Sequence, residues 1–150
     1  MTYAHRQYGK ILLAFATVFL LGLTGWLVFA GELLPALIVS LFTVVLLALF
    51  SWLTVEVHRD AVRLAFGLGW IRKSIPLDTI ESTEIVRTSW WWGWGIRLTP
   101  EGWMWNISGF DAVRLHKTDG RAFTVGTDQP QQLKAAIDAQ LASRSKRDAG

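Results

Sequence analysis

Two apolar stretches decide the architecture: ILLAFATVFLLGLTGWLVFA at residues 11–30 and LLPALIVSLFTVVLLALFSWL at residues 33–53, separated only by Gly31 and Glu32. The first has no charge and no proline. The second is uncharged, and its only proline, Pro35, falls in its opening turn, where a missing N–H breaks no helical hydrogen bond. A helix rises about 1.5 Å per residue, so about 20 apolar residues cross a hydrocarbon core about 30 Å thick. The pattern predicts a transmembrane helical hairpin, with spans at about 11–30 and 33–53. A cleaved secretory signal has a shorter apolar region, about 7–15 residues, and a second apolar run comes here at once. A pair of core helices in a water-soluble protein is also a poor fit, since so short a chain has little with which to cover two helices apolar on every face.

Working outward from the hairpin, Glu32 is the only charge between Lys10 and Glu56. Thr17, Thr24, Ser40 and Thr43 supply hydroxyls that can bond back to helix carbonyls, so their presence calls for no transport pathway. No ionisable residue lies at mid-span, which argues against a channel, pump or intramembrane enzyme. Trp26 and Trp52 fall near span ends and are the expected interfacial anchors. Arg6 and Lys10 precede the first span and Arg59 and Arg63 come after the second, while the hinge carries only Glu32. By the positive-inside rule these four cations are the topology determinants. They predict a multi-pass protein of a bacterial inner (plasma) membrane with both termini cytoplasmic.

Residues 1–10 are expected to be a short cytoplasmic segment, and specific chemistry is confined to residues 54–150. From Asp60 onward 12 Lys and Arg face 10 Asp and Glu, interspersed, so a net charge near +2 carries no nucleic-acid signature. The chain has no cysteine, and His5, His58 and His116 have no neighbour at metal-ligand spacing, so neither metal nor cofactor is expected. No nucleophile–base spacing and no phosphate loop is readable, which predicts a non-catalytic protein with no identifiable small-molecule substrate.

Alternation with period two runs through this segment and predicts about seven short strands. Val62, Leu64 and Phe66 share one face, and Asp119-Gly120 between alternating runs is a strong hairpin signal. Asp128, Pro130 and Gln131 then form a helix-start signal with Asp128 as the expected N-cap. Leu133, Ala136, Ile137 and Leu141 form an apolar stripe for a closing helix at about 129–142. Residues 143–150, with Arg144, Lys146 and Arg147, read as a flexible basic tail.

Strands followed by one terminal helix, together with Trp92-Gly93-Trp94-Gly95-Ile96-Arg97-Leu98, Asn106-Ile107-Ser108-Gly109 and Gly126-Thr127-Asp128-Gln129-Pro130, resemble small bacterial two-span membrane proteins with a bacterial pleckstrin-homology-like (PH-like) domain. The resemblance covers about residues 53–142. It implies an α+β membrane protein: a transmembrane hairpin, then a PH-like antiparallel β-barrel of about seven strands, closed by a C-terminal capping helix in a domain spanning 54–142. It implies no reaction. The turn that would correspond to the phosphoinositide loop of eukaryotic relatives, Gly67-Leu68-Gly69, is uncharged, so that ligand is not carried over.

Six of the nine tryptophans fall within residues 90–105. Trp94, Trp103 and Trp105 fit the core face of paired strands. Trp90, Trp91 and Trp92 are consecutive, and alternate residues of a strand point to opposite faces, so at least one is expected outside. These three are the candidate contact with membrane lipid, through rings that favour the headgroup region. A protein partner or self-association is the rival use of the patch. The expected role is an interaction or scaffold module at the inner membrane surface; the alternative is an accessory subunit of a membrane enzyme or transporter complex.

Overall fold

The computed structural model describes residues 2–89, 91, 93 and 95–148, the side chains of Leu12 and Asp148 excepted. The chain opens with strand β1 (Tyr3–Tyr8), then helices α1 (Lys10–Phe29) and α2 (Leu33–Phe50). Strands β2 (Trp52–Val57), β3 (Ala61–Phe66) and β4 (Ile71–Pro76) come next. A 3-10 turn (Leu77–Thr79) leads to β5 (Ile80–Arg87), β6 (Gly95–Thr99), β7 (Gly102–Asn106), β8 (Asp111–Lys117) and β9 (Ala122–Gly126). Helix α3 (Pro130–Asp148) ends the described chain.

Gly31, at φ +82°, takes the left-handed backbone that lets α1 turn back into α2. The two helices lie against each other, yet of α2 only Ala36 and Thr43 are buried. That exposure is the reverse of a soluble core helix. Ser40 and Thr43 donate to the carbonyls of Ala36 and Val39 at 2.8 and 2.7 Å, so their hydroxyls are satisfied within the helix. Among the described residues one helix, α2, is long and apolar enough to cross a membrane; the apolar run described within α1, Leu13–Phe29, is shorter. The second apolar stretch also ends sooner than expected, because Trp52 and Leu53 already belong to β2.

Strands β1-β2-β3-β4 form one antiparallel sheet, and β5-β8-β9-β7-β6 form the other. Within the second, β7 and β9 run parallel. The expected closed antiparallel barrel of about seven strands is therefore corrected: among the described residues nine strands form two facing sheets that do not close. The ends of the sandwich are covered by helices instead of strands: Leu133 and Ile137 of α3 are fully buried at one end, and Phe50 of α2 packs onto the core. The core itself joins Leu53, Val55, Val57, Val62, Leu64 and Phe66 to Trp105, Val113, Leu115, Phe123 and Val125.

Strand β1 is not marked in the residue pattern, where residues 1–10 read as a simple leading segment. Its core-facing positions are Tyr3, His5 and Gln7, so no apolar alternation betrays it. Polar partners stand in: His5 Nε2 lies 2.6 Å from Asp128 Oδ1, and Gln7 Nε2 donates to Ser108 O at 2.9 Å. Asp128 is thus committed to His5, and Thr127 Oγ1 takes the Gln129 N–H at 3.1 Å just before α3. The helix runs on to Asp148, past the expected fray at Ser143. Lys134 and Asp138, four residues apart and expected on the outer face of this helix, meet each other and both also meet Thr83 of β5, so the pair faces the sheet instead. In the β8–β9 turn, the Arg121 backbone N–H, 3.0 Å from Asp119 Oδ1, holds that carboxyl below the usual carboxylate range, helped by Lys117.

The helical hairpin meets the sheets at one tight joint. Gly67, at φ +48°, carries its N–H to Trp52 O at 2.8 Å, and Leu68 N–H reaches Ala48 O at 3.3 Å. A side chain at position 67 would collide with the Ala48 carbonyl oxygen. Phe50 stacks obliquely on Phe66 (5.7 Å between centroids), Phe66 on Trp105 (5.3 Å) and Trp105 on Phe123 (6.1 Å), a continuous aromatic line from helix to both sheets. Phe66→Ala should cost about 3–5 kcal/mol, read from the thermal or denaturant unfolding of the sheets in detergent. Gly67→Ala should loosen the joint between helix and sheet more than it loosens the sheets, seen as faster exchange of the position-67 and Leu68 amides with the β8–β9 ladder still protected.

Candidate membrane-facing surface

The joint gathers aromatic and basic side chains around the sheet-side end of the hairpin. Tyr8 and Trp52 are cross-strand partners, with ring centroids 6.3 Å apart. Arg6 places its guanidinium carbon 5.2 Å from the centre of the Trp52 ring, a cation–π contact. Gly9 N–H donates to Ser51 O at 3.2 Å, which ties the start of α1 to the end of α2. The β3–β4 turn then adds Leu68, 56% exposed, and Trp70, 77% exposed, beside the last turn of α2. Arg72 donates its Nε to the Gly69 carbonyl and stays at the surface. Neither Leu68 nor Trp70 stands out in the residue pattern. The signal is present, an apolar tip on a hairpin next to a span end, but it emerges only once the turn is known to touch Ala48.

The second half of the surface comes from the five-stranded sheet. Gln7 and Tyr8 are hydrogen-bonded to Ser108 (Ser108 Oγ to Tyr8 O, 3.4 Å), and a Cβ on Gly9 would come 2.9 Å from Ile107 Cγ1. The connection between β7 and β8 therefore lies beside the first turn of α1. Thr88 N–H and Oγ1 both donate to Phe110 O, at 2.6 and 3.0 Å, so the chain after β5 leaves from that same end. Trp91 comes next, 76% exposed. Trp90 and Trp92 lie outside the described residues, as does Trp94.

The other tryptophans separate clearly. Ile96 pairs with Trp105 and Leu98 with Trp103 across the β6–β7 hairpin, the pairing that alternation suggests. Trp105 is buried in the core at 6% exposure, whereas Trp103 is half exposed at the unclosed side of the sandwich. Trp26 is exposed and sits at the hinge end of α1, opposite Trp52. Eighteen residues of α2 span about 27 Å, close to the thickness of a hydrocarbon core. Of the four cations tied to orientation, Arg6 and Lys10 remain beside the helix ends. Arg59 and Arg63 are carried away by β2, which extends about 20 Å; Arg63 pairs there with Asp60 at 3.3 Å. Arg72 takes their place near the joint.

All three histidines contact carboxylates: His5 with Asp128, His58 with Glu56 at 3.0 Å and His116 with Glu84 at 3.3 Å. Among the described residues no group of three or more His, Asp or Glu side chains could hold a metal ion. Burial raises the Tyr3 phenol above its usual value, a hydrogen bond with Thr127 opposes this, and the Asp128 charge adds to it. The ordinary value is about 10, so the unfolded chain gives up this proton first. The contribution of Tyr3 is then complete below about pH 10 and fades as pH rises through the higher folded value. Phenolate absorbance of the folded chain against Tyr3→Phe should show that late ionisation; a Tyr3 phenol titrating at or below the ordinary value would contradict it.

Comparison with family models, curated proteins and solved structures returns no match.

Proposed function

We propose that the chain is an integral membrane protein of a bacterial inner membrane whose sheet domain, of PH-like kind, lies against the cytoplasmic leaflet as a non-catalytic interaction module. The observation that carries this reading is the pairing of β1 with β2. The strand before α1 and the strand after α2 are hydrogen-bonded over six residue pairs, so they share one side of any bilayer. An even number of crossings is then required: if α2 spans, α1 spans with it. Lys10 at the mouth of α1 does not oppose this, since a lysine there reaches the headgroups along its own stem. Arg6, Lys10 and Arg72 around the joint favour the cytoplasmic side and anionic lipid.

In this reading Tyr8, Trp52, Leu68 and Trp70 form a collar at the water–lipid boundary, and the Trp90, Trp91 and Trp92 segment is a second contact from the other sheet. Two contacts on different sheets fix the tilt of the domain, which a single tether cannot do. Its remaining surface is then offered to partners at a set height above the membrane. A second reading, accessory subunit of a membrane enzyme or transporter complex, is favoured by Leu98 and Trp103, apolar side chains left exposed at the β6 edge.

The test uses the full chain in liposomes with acyl chains brominated at defined depths. Trp26 and Trp52 should be quenched in every variant. Shallow quenching should fall by about one tryptophan's share in Trp70→Phe and again in Trp91→Phe. Equal quenching in the parent and both variants would mean that the domain stands clear of the lipid, and would turn attention to protein partners.

A further inference from the structure

The face of the five-stranded sheet turned away from the core carries an unexplained feature. Arg114 of β8 has a buried Nε with no hydrogen-bond partner among the described residues. Its cross-strand neighbour Glu84 is the obvious mate, but that carboxylate contacts His116. On the other side the neighbour is Thr124, and beyond it Met104, both buried. Over these three side chains opens a cleft of about 200 Å³, bounded by Arg87, Thr88 and Ser89 at one end and Thr99 and Glu101 at the other. Its lining is predominantly polar. Arg114 lies at the floor of the cleft, Arg87 and several hydroxyl-bearing residues line its rim, and Glu101 is the one carboxylate among the lining residues.

A guanidinium is a planar fork of donors with no acceptor and no accessible neutral form. Burying one of its N–H groups without an acceptor is unfavourable, and water or an anion must answer it. The hydroxyls of Ser89 and Thr124 can donate to the same acceptor. Three or four oxygens around a small centre match that donor set, whereas a single carbonyl would leave most of it unused. We propose that this cleft binds a phosphate-type oxyanion, with Arg114 as the principal cationic donor, Arg87 adding positive charge at the rim, Ser89 and Thr124 as neutral donors, and Glu101 as the group that limits affinity. The phosphate has two sources, a soluble phosphate or the headgroup of an anionic lipid. Binding here does not require Trp91 to touch the bilayer, so this site stands or falls separately from the membrane contact.

Inorganic phosphate should be titrated calorimetrically into the full chain in phosphatidylcholine nanodiscs at constant ionic strength. In parallel, unfolding is compared between those discs and discs containing phosphatidic acid. Saturable phosphate binding would identify a soluble ligand; stabilisation by phosphatidic acid alone would identify a lipid headgroup. In either case Arg114→Gln should weaken the interaction about tenfold or more. Glu101→Gln should strengthen it several-fold, and Arg121→Gln, on the β8–β9 turn, should leave it unchanged. Because Glu101 is exposed, its variant decides the matter even if Arg114→Gln unfolds. No binding in either arm, or binding equally altered by Arg121→Gln, overturns the proposal.

Discussion

The β1–β2 ladder is the constraint on which the rest of the structure depends. It brings the residues before α1 and after α2 into one sheet, from Tyr3↔Val57 to Tyr8↔Trp52. Without the hairpin this ladder would have to close a long loop between Tyr8 and Trp52, at an entropic cost that the strand's polar side chains could do little to offset. Two antiparallel helices of similar length already return the chain to its starting level, so helix packing and strand pairing support each other. The Gly9–Ser51 hydrogen bond marks where they meet.

Apolar continuity then carries this rigidity inward. Phe50 is the last residue of α2 and also part of the packing around the core, through Phe66 to Trp105 and Phe123. The helix end is thus held by side chains that belong to both sheets, and Gly67 is confined by the Ala48 carbonyl beside it. Polar contacts finish the attachment: His5 to Asp128 and Gln7 to Ser108 join β1 to the second half of the chain. A domain fixed at so many points has little freedom to swing about its tether.

Much of this is legible from residue order, and the reasons for the rest are specific. The hairpin, the Gly31 turn, the Asp119-Gly120 hairpin and the α3 stripe obey local periodicity and turn chemistry, which a single segment carries by itself. Strand β1 does not, because Tyr3, His5 and Gln7 face inward and their partners lie a hundred or more residues away. The parallel β7–β9 pair is equally silent, since alternation tells which face a residue takes and says nothing of its neighbour strand. At the candidate surface, three adjacent tryptophans announce an exposed aromatic. The contribution of Leu68 and Trp70 comes only from the contact between their turn and the end of α2. Arg114 is invisible for a further reason: it is unremarkable until its neighbour Glu84 is seen contacting His116.

The first strand of the chain also sets an order of events during synthesis. Residues 3–8 leave the ribosome long before their partner at residues 52–57 exists, and chains grow from the N-terminus at about 5–20 residues per second. For some seconds the segment has no ladder to join, and it can dock only after α2 has been delivered and β2 has emerged behind it. Folding of the sheet domain is thereby made conditional on completion of the hairpin. A chain whose second helix did not fold back on the first would keep β2 and β1 apart and leave the core-facing edge of Leu53, Val55 and Val57 uncovered, an exposed apolar strand open to mispairing.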